Sequence, residues 1–513
     1  MNNNSYKTIE YLIDGDENLR RCSLGFPSIG SKKECEKIKK DLPTIIDTWE
    51  FYSHEIYNLN KNFSSIINLG TGDPLALKPF GINRKNLNKF LKRKDLYKYQ
   101  PAAGNEKFRQ NLSEYAINIG FNYISPNGEK INYENILPTF STTHAFYLVM
   151  QTIIKEHDIV IFPSPTYGLF VYIPERLGAT VKFIELKKEN NFLIDPDLLD
   201  LMIKNINNEL KIKFKDSLSY IPRVAAFVNI NPHNPTGKVM NSKNYDLLKS
   251  INKVCFDNNV MIIDDLVYRD LTYSDDLALP LGTFKQYFPN CISLFGISKS
   301  FNLASLRAGF IVADKVVINS IRNKIFHTID SMSIFQTQVL SNVFCNQKLS
   351  KYHKKVVRKY YFKYDLLKSL VDGIEVIKNK KRQNKIYKKI KKFSSNKENL
   401  KFVLKGLKNI SFVQNSTPES GFFAILDFTN IKEKCYNKIR INNEKTLLKL
   451  LYEECGVKCI PGSAIGWNNV DELIMRVSYS LSDKDLITAF ERINIFSRRI
   501  KNETNWNYNK DKQ

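Results

Sequence analysis

Between Ile66 and about Ala313 the chain alternates short apolar runs with longer amphipathic stretches, and this alternation constrains the fold more than any other feature. IVIFP (Ile159–Pro163), VAAFVNI (Val224–Ile230), VMIIDD (Val260–Asp265), CISLFGIS (Cys291–Ser298) and AGFIVA (Ala308–Ala313) are short, rich in β-branched or aromatic residues, and bounded by Pro, Asp, Asn or Gly. Continuous apolar runs of this length read as strands buried on both faces. Stretches between them, such as SKNYDLLKSINKVCFDNN, have helical spacing. The alternation predicts an α/β fold: a three-layer αβα body with a mostly parallel sheet. In such folds the working residues gather where strands end and loops begin.

After about Phe335 the pattern changes. A long basic helical stretch, KYHKKVVRKYYFKYDLLKSLVDGI, precedes a segment dense in Lys and Arg from Lys378 to Lys397. The strand-like runs GFFAILDF (Gly421–Phe428) and ELIMRVSYS (Glu472–Ser480) follow. We read a smaller α+β domain over 336–499, with a basic insertion at about 378–397, after a large domain over 66–335. Residues 1–65 are expected to pack with the small domain, and 500–513 to form a polar tail.

The 513 residues carry a net charge of +25. Lys, Asn and Ile recur from end to end, so the excess reads as diffuse and a nucleic-acid partner is not expected. No apolar run approaches the length of a membrane-spanning helix, and the N-terminus has no basic flank followed by an apolar core. Eight cysteines are scattered without a CxxC pair, which argues against a zinc site and for free thiols in a reducing cytoplasm.

The chemistry concentrates in three stretches. NPHNPTG (Asn231–Gly237) follows one strand-like run and holds two prolines and a terminal glycine, a rigid turn that fixes Asn234. VMIIDD ends in Asp265, with Tyr268 three residues on. FGISKSFNLASLRAGF sets Lys299 after a buried strand and Arg307 eight residues later, among small and apolar residues. A lysine at a buried strand end can have a depressed pKa, and its neutral amine attacks aldehydes. Taken singly, each has a plain structural reading: a turn, a helix cap, a snorkelling lysine.

Together and in this order, NPHNPTG, IIDDLVY and SKSFNLASLRAG resemble the signature of class I/II pyridoxal-phosphate aminotransferases of fold type I, over about Ile66 to Leu486. The resemblance implies pyridoxal 5′-phosphate as cofactor, with Lys299 holding its aldehyde and later moving a proton. Asp265 would stand beside the ring nitrogen, favouring its protonated form, with Asp264 the neighbouring acid. Asn234 and Tyr268 would hydrogen-bond the ring's phenolic oxygen. Arg307 would serve the phosphate, for which a guanidinium fork suits a dianion, and Ser298 would be a further cofactor-binding residue.

FSTTHAFYL (Phe140–Leu148) resembles the family's phosphate-cradling turn, with Ser141, Thr142 and Thr143 as candidates. Tyr167 in PSPTYG matches an aromatic stacked on the cofactor ring. Tyr99 matches a tyrosine that reaches the phosphate of a neighbouring subunit, which implies a homodimer with shared active sites. Arg476 matches the arginine that binds the substrate α-carboxylate, and Gly72 lies in the turn that closes over substrate. The implied reaction moves an amino group from an L-amino acid to a 2-oxo acid. β-Elimination, decarboxylation, cyclisation or oxidation on the same scaffold are the alternatives, and a nucleic-acid-binding regulator is a remote one.

The sequence departs from the family in places. Gly296 stands where many members have a phosphate-binding serine, and the 141–143 turn lacks its usual glycine. DSMSIFQTQ (Asp330–Gln338) has no arginine where dicarboxylate-specific members use one, which counts against aspartate or glutamate as donor.

Overall fold

A computed structural model describes residues 63–501, apart from 64, 76, 216–219 and 468. The N-terminal expectation therefore falls almost wholly outside the described residues, as do Cys22, Cys35 and most of the polar tail. Phe63 is described: the Arg492 guanidinium lies over its ring at 4.2 Å.

The strands in chain order are β1 (Ile67–Asn68), β2 (Ile136–Thr139), β3 (Ile159–Ser164), β4 (Thr180–Glu185), β5 (Val224–Ile230), β6 (Met261–Asp265), β7 (Cys291–Gly296) and β8 (Gly309–Val312). They continue with β9 (Ser411–Phe412), β10 (Phe423–Asp427), β11 (Cys435–Tyr436), β12 (Ile439–Arg440), β13 (Val457–Lys458), β14 (Ile460–Pro461) and β15 (Ile474–Ser478). The helices are α1 (Arg84–Leu91), α2 (Glu106–Asn118), α3 (Thr142–Ile153), α4 (Gly168–Arg176), α5 (Pro196–Lys213), α6 (Tyr245–Asp257) and α7 (Lys315–Ile329). Then come α8 (Ile334–Phe344), α9 (Leu349–Asp372), α10 (Lys380–Phe393), α11 (Lys397–Lys405), α12 (Glu444–Cys455) and α13 (Asp483–Arg499).

The main sheet has the order β2-β8-β7-β6-β5-β3-β4. Its pairs are parallel except at β8, which runs antiparallel to both neighbours. Alternate strand residues serve opposite faces. Ile263, Val228 and Phe162 pack with Phe146 of α3, Phe170 of α4 and Ile321 of α7. Ile262, Phe227 and Ile161 pack with Leu199 of α5 and Leu248 and Ile251 of α6. Burial on both faces is why these strands read as unbroken apolar runs. β6, β7 and β8 are one or two residues shorter than their apolar runs, β5 coincides with its run, and β3 extends one residue beyond it to Ser164.

A second, antiparallel sheet of order β14-β15-β10-β9 carries the C-terminal part. Val339, Leu340, Val343 and Phe344 of α8 pack against Leu112 and Tyr115 of α2. The basic stretch forms α10 and the start of α11. It is not solvated all round, since Gln383, Ile386 and Ile390 of α10 are buried.

The strand order explains how distant motifs meet. β5, β6 and β7 are adjacent and parallel, with Ile230 beside Asp265 and Asp265 beside Leu294. Neighbouring strands lie about 4.8 Å apart. The loops that leave them, carrying Asn234, Tyr268 and Lys299, therefore open onto one edge. Thr139 of β2 pairs with Gly309 of β8, which brings Ser141 and Arg307 to the same edge.

Candidate active site

A cavity of about 480 Å³ opens at that edge, between the two sheets. Gly72, Ser141, Thr142, Thr143, Tyr167, Asn234, Asp265, Tyr268, Ser298, Lys299, Arg307 and Arg476 all line it. Of the sequence-predicted residues only Tyr99 stands apart, 88% exposed on its own chain.

Lys299 lies three residues beyond the end of β7 and is half-buried. Its Nζ donates to the Gly72 carbonyl at 2.6 Å. Burial lowers the lysine pKa to about 8, with Arg476 and Arg307 pushing the same way and Asp73 and Asp265 opposing. Asp265 is 3% exposed, and burial raises its carboxyl to about 7. Its Oδ1 accepts from the Val267 N–H at 3.1 Å. The neighbouring Asp264 is spent on structure: it accepts from Asn229 Nδ2 at 2.7 Å and from the Leu281 N–H at 2.8 Å, and it does not line the cavity. Strand alternation thus separates two adjacent acids into one that faces the site and one that braces the sheet.

The Asn231–Gly237 turn contains cis Asn231–Pro232 and Asn234–Pro235 bonds. It closes through the Gly237 N–H on the His233 carbonyl at 2.7 Å. Gly237 has φ 72° and abuts Pro418, where a Cβ would come within 2.9 Å. Asn234 accepts from Arg476 Nη1 at 3.2 Å, a link between the two sheets. Arg476, in the middle of β15, is 4% exposed. Its Nη2 donates to the Gly70 carbonyl at 2.8 Å, and its guanidinium lies 4.1 Å from the Phe423 ring centroid. These contacts hold the arginine in place at the cavity wall.

At the opposite end α3 begins. Ser141 is its N-cap, with its hydroxyl accepting from the His144 N–H at 3.2 Å. Its φ of 134° is one that glycine adopts freely and serine does not. That is the physical content of the missing glycine, and the Thr139 hydroxyl, donating to the Ser141 carbonyl at 3.0 Å, braces the turn. Gly296 also has a counterpart. A Cβ there would come within 2.5 Å of Thr142 Oγ1, so the threonine hydroxyl occupies the space a residue-296 side chain would fill. Gly309 is needed for the same close packing, since its Cβ would meet the Phe295 carbonyl at 2.6 Å.

Sequence reasoning missed Gln336, whose Nε2 donates to the Leu306 and Arg307 carbonyls at 3.1 and 2.8 Å. It fixes the left-handed turn at Arg307 (φ 51°). It also missed the anchoring of the Gly72 segment, where the Leu75 N–H donates to Tyr360 Oη at 2.8 Å and Ser480 Oγ donates to the Asp73 carbonyl. No local pattern announces either.

The sequence profile of the aminotransferase class I and II family matches residues 64–493. The chain belongs to that family. It is 26% identical over 443 residues to the aspartate aminotransferase of Pyrococcus horikoshii, covering 86% of this chain and 92% of the relative. It is 23% identical over 450 residues to aromatic-amino-acid aminotransferase 2 of Thermococcus litoralis, covering 86% and 93%. Among solved structures, the aspartate aminotransferase of Rhizobium meliloti superposes with a TM-score of 0.67 at 16% identity, covering 90% of this chain and 97% of that one. That of Thermus thermophilus with maleate gives 0.63 at 18%, covering 89% and 96%. These likenesses establish the fold.

The family uses pyridoxal phosphate, and the residues present fit that group. Thr142 Oγ1 is buried in the cavity wall without a hydrogen-bond partner, a cost unless a ligand supplies one. Arg307 and the first N–H groups of the twelve-residue α3 face the same end of the cavity, a donor set suited to an anion. Thr142→Val is therefore expected to weaken cofactor binding by about 3- to 10-fold, the net value of one hydrogen bond, while thermal stability of the cofactor-free protein holds. Equilibrium dialysis checks this, and unchanged cofactor affinity would remove Thr142 from the cradle.

Proposed function

We propose that the chain is a pyridoxal-phosphate aminotransferase that moves the α-amino group of an L-amino acid to a 2-oxo acid in two half-reactions. One observation carries this reading. A lysine amine lowered towards neutrality, a buried acid and two arginines line one cavity.

When bound, pyridoxal phosphate supplies an aldehyde that holds the amino group and a ring that accepts negative charge from the substrate Cα. Arg307, Thr142, Ser141, Thr143 and Ser298 would hold its phosphate. Tyr167 would face the ring, Asp265 the ring nitrogen, and Asn234 and Tyr268 the phenolic oxygen. Burial raises the Asp265 carboxyl to about 7, so a protonated ring nitrogen beside it would favour its charged form, and the charged aspartate would in turn favour the nitrogen's proton. Arg476 would bind the substrate α-carboxylate, and the Gly72 segment would exclude water above it. Lys299 would remove the Cα proton. Its present acceptor, the Gly72 carbonyl, belongs to the segment that covers the substrate.

Tyr99 has no place in the cavity of its own chain. The proposal gives it to the cavity of a second copy, in a homodimer working in the cytoplasm. The thiols of Cys255, Cys291, Cys345, Cys455 and Cys459 suit a reducing compartment. Among the described residues no helix is long and apolar enough to cross a membrane.

The test is a half-reaction. Holoprotein mixed with an amino acid, without any oxo acid, is expected to release close to one equivalent of the corresponding 2-oxo acid and no ammonia. An added 2-oxo acid should then restore the starting absorbance. Catalytic ammonia release without an oxo acid would replace this reading with a lyase or oxidase reaction.

A further inference from the structure

The positive charge is not spread evenly. Residues 348–405 hold twenty Lys and Arg against four Asp and Glu, a net +16 of the chain's +25. The segment folds into α9, α10 and the start-to-end span of α11, so the charge is gathered on neighbouring helices.

Between α9 and α10 lies a cleft of about 850 Å³ whose wall includes Arg358, Lys359, Lys363, Arg382, Lys385 and Lys389, with Asp483 the one acid among its described lining residues. Asp483 is shared by Lys363, at 2.5 Å, and Lys389. Arg382 pairs with Asp365 at 2.5 Å and lies over the Tyr361 ring at 5.1 Å. Lys385 lies over the Phe362 ring at 4.9 Å. Arg358, Lys359 and Lys385 have no ion-pair partner among the described residues. Two acids and two aromatic rings thus hold several cations close together without neutralising them. Such a surface repels itself unless polyanionic charge covers it.

We propose that this cleft binds the phosphate backbone of a single-stranded nucleic acid, reversing the expectation drawn from a diffuse charge. The aromatic residues decide between this and an anionic membrane. A membrane-surface helix turns aliphatic residues outward into the lipid. Here Ile386 and Ile390 of α10 are fully buried, and the exposed large hydrophobic residues of 348–405 are Tyr361 (41%) and Tyr387 (37%). In the cleft the Arg382 guanidinium lies over the Tyr361 ring, and Tyr387 of α10 lies outside the cleft lining; a guanidinium backed by an aromatic ring offers unpaired bases a stacking plane beside a phosphate track. With about four phosphates engaged, log Kd should vary with log salt with a slope of about 3 in magnitude.

The experiment is fluorescence anisotropy of a labelled mixed-sequence single-stranded RNA with full-length holoprotein across a salt series. Binding in the micromolar range at low salt is expected. The Arg358→Glu/Lys385→Glu double variant, with both positions outside the active-site cavity, should bind at least tenfold more weakly and with a shallower salt slope. Its transamination rate should be unchanged. Lys243→Glu, an exposed cation on the large-sheet body, should bind like the parent protein. No binding at low salt overturns the proposal. An equal loss in Lys243→Glu overturns it too, since the charge would then act diffusely. Binding to phosphatidylserine vesicles without binding to RNA assigns the cleft to membrane and also overturns it.

Discussion

Lys299→Ala should lose transamination by about 10³-fold or more, because it removes both the covalent anchor and the base that takes the Cα proton. The fold should survive, since Lys299 is half-buried and the Gly72 segment that accepts its hydrogen bond is also held by Tyr360, Ser480 and Arg476. Cofactor should still bind through the Arg307 and Thr142 end of the cavity. The pH dependence follows from the same residue. Only the neutral amine attacks an aldehyde, and burial lowers the Lys299 pKa to about 8. Capture of pyridoxal phosphate by cofactor-free protein should therefore accelerate as pH rises and level off above about pH 8. Stopped-flow absorbance measures this. A profile still rising steeply near the ordinary lysine pKa of about 10.4 would mean that the reacting amine is not buried.

Arg476→Ala should raise the amino-acid KM by about 10²-fold, the usual loss when one partner of a desolvated charge pair is removed. Cofactor affinity should move little, since the arginine lies on β15 and is not among the residues proposed to hold the phosphate. Steady-state kinetics with dialysis separates the two quantities. Some effect on kcat is also expected, because Arg476 holds Asn234 at 3.2 Å. Arg476→Lys should recover only part of the loss, as a lysine cannot make two parallel hydrogen bonds to a carboxylate. Loss of cofactor with an unchanged KM would give Arg476 another role.

The chemistry was legible in the sequence because it restricts residue type and local spacing. A lysine, an acid and an asparagine after three buried runs belong to three strand ends, and parallel pairing of β5, β6 and β7 brings those ends together. The three-residue spacing to Tyr268 favours Asp265 over Asp264, and the fold sets Asp265 in the cavity wall with Asp264 hydrogen-bonded to Asn229 and Leu281. What stayed hidden depends on partners far apart in the chain. Leu75 meets Tyr360 across 285 residues, Gln336 braces a turn 29 residues earlier, and Phe423 underlies Arg476 from the next strand. The fit of Thr142 to Gly296 is invisible until β7 and α3 are packed. The basic cleft was hidden for another reason: a count over the whole chain averages away the charge that two adjacent helices concentrate.

Lys299 as the cofactor's attachment point is the central claim, and chemical trapping tests it most directly. Holoprotein would be treated with sodium borohydride, which reduces the carbon–nitrogen double bond between cofactor and lysine to a stable single bond, then digested and mapped by mass spectrometry. A pyridoxyl adduct is expected on the peptide containing Lys299, lost when an amino-acid substrate is added before the borohydride. A stoichiometric adduct on a different lysine, or none on a protein that retains its cofactor, would contradict it.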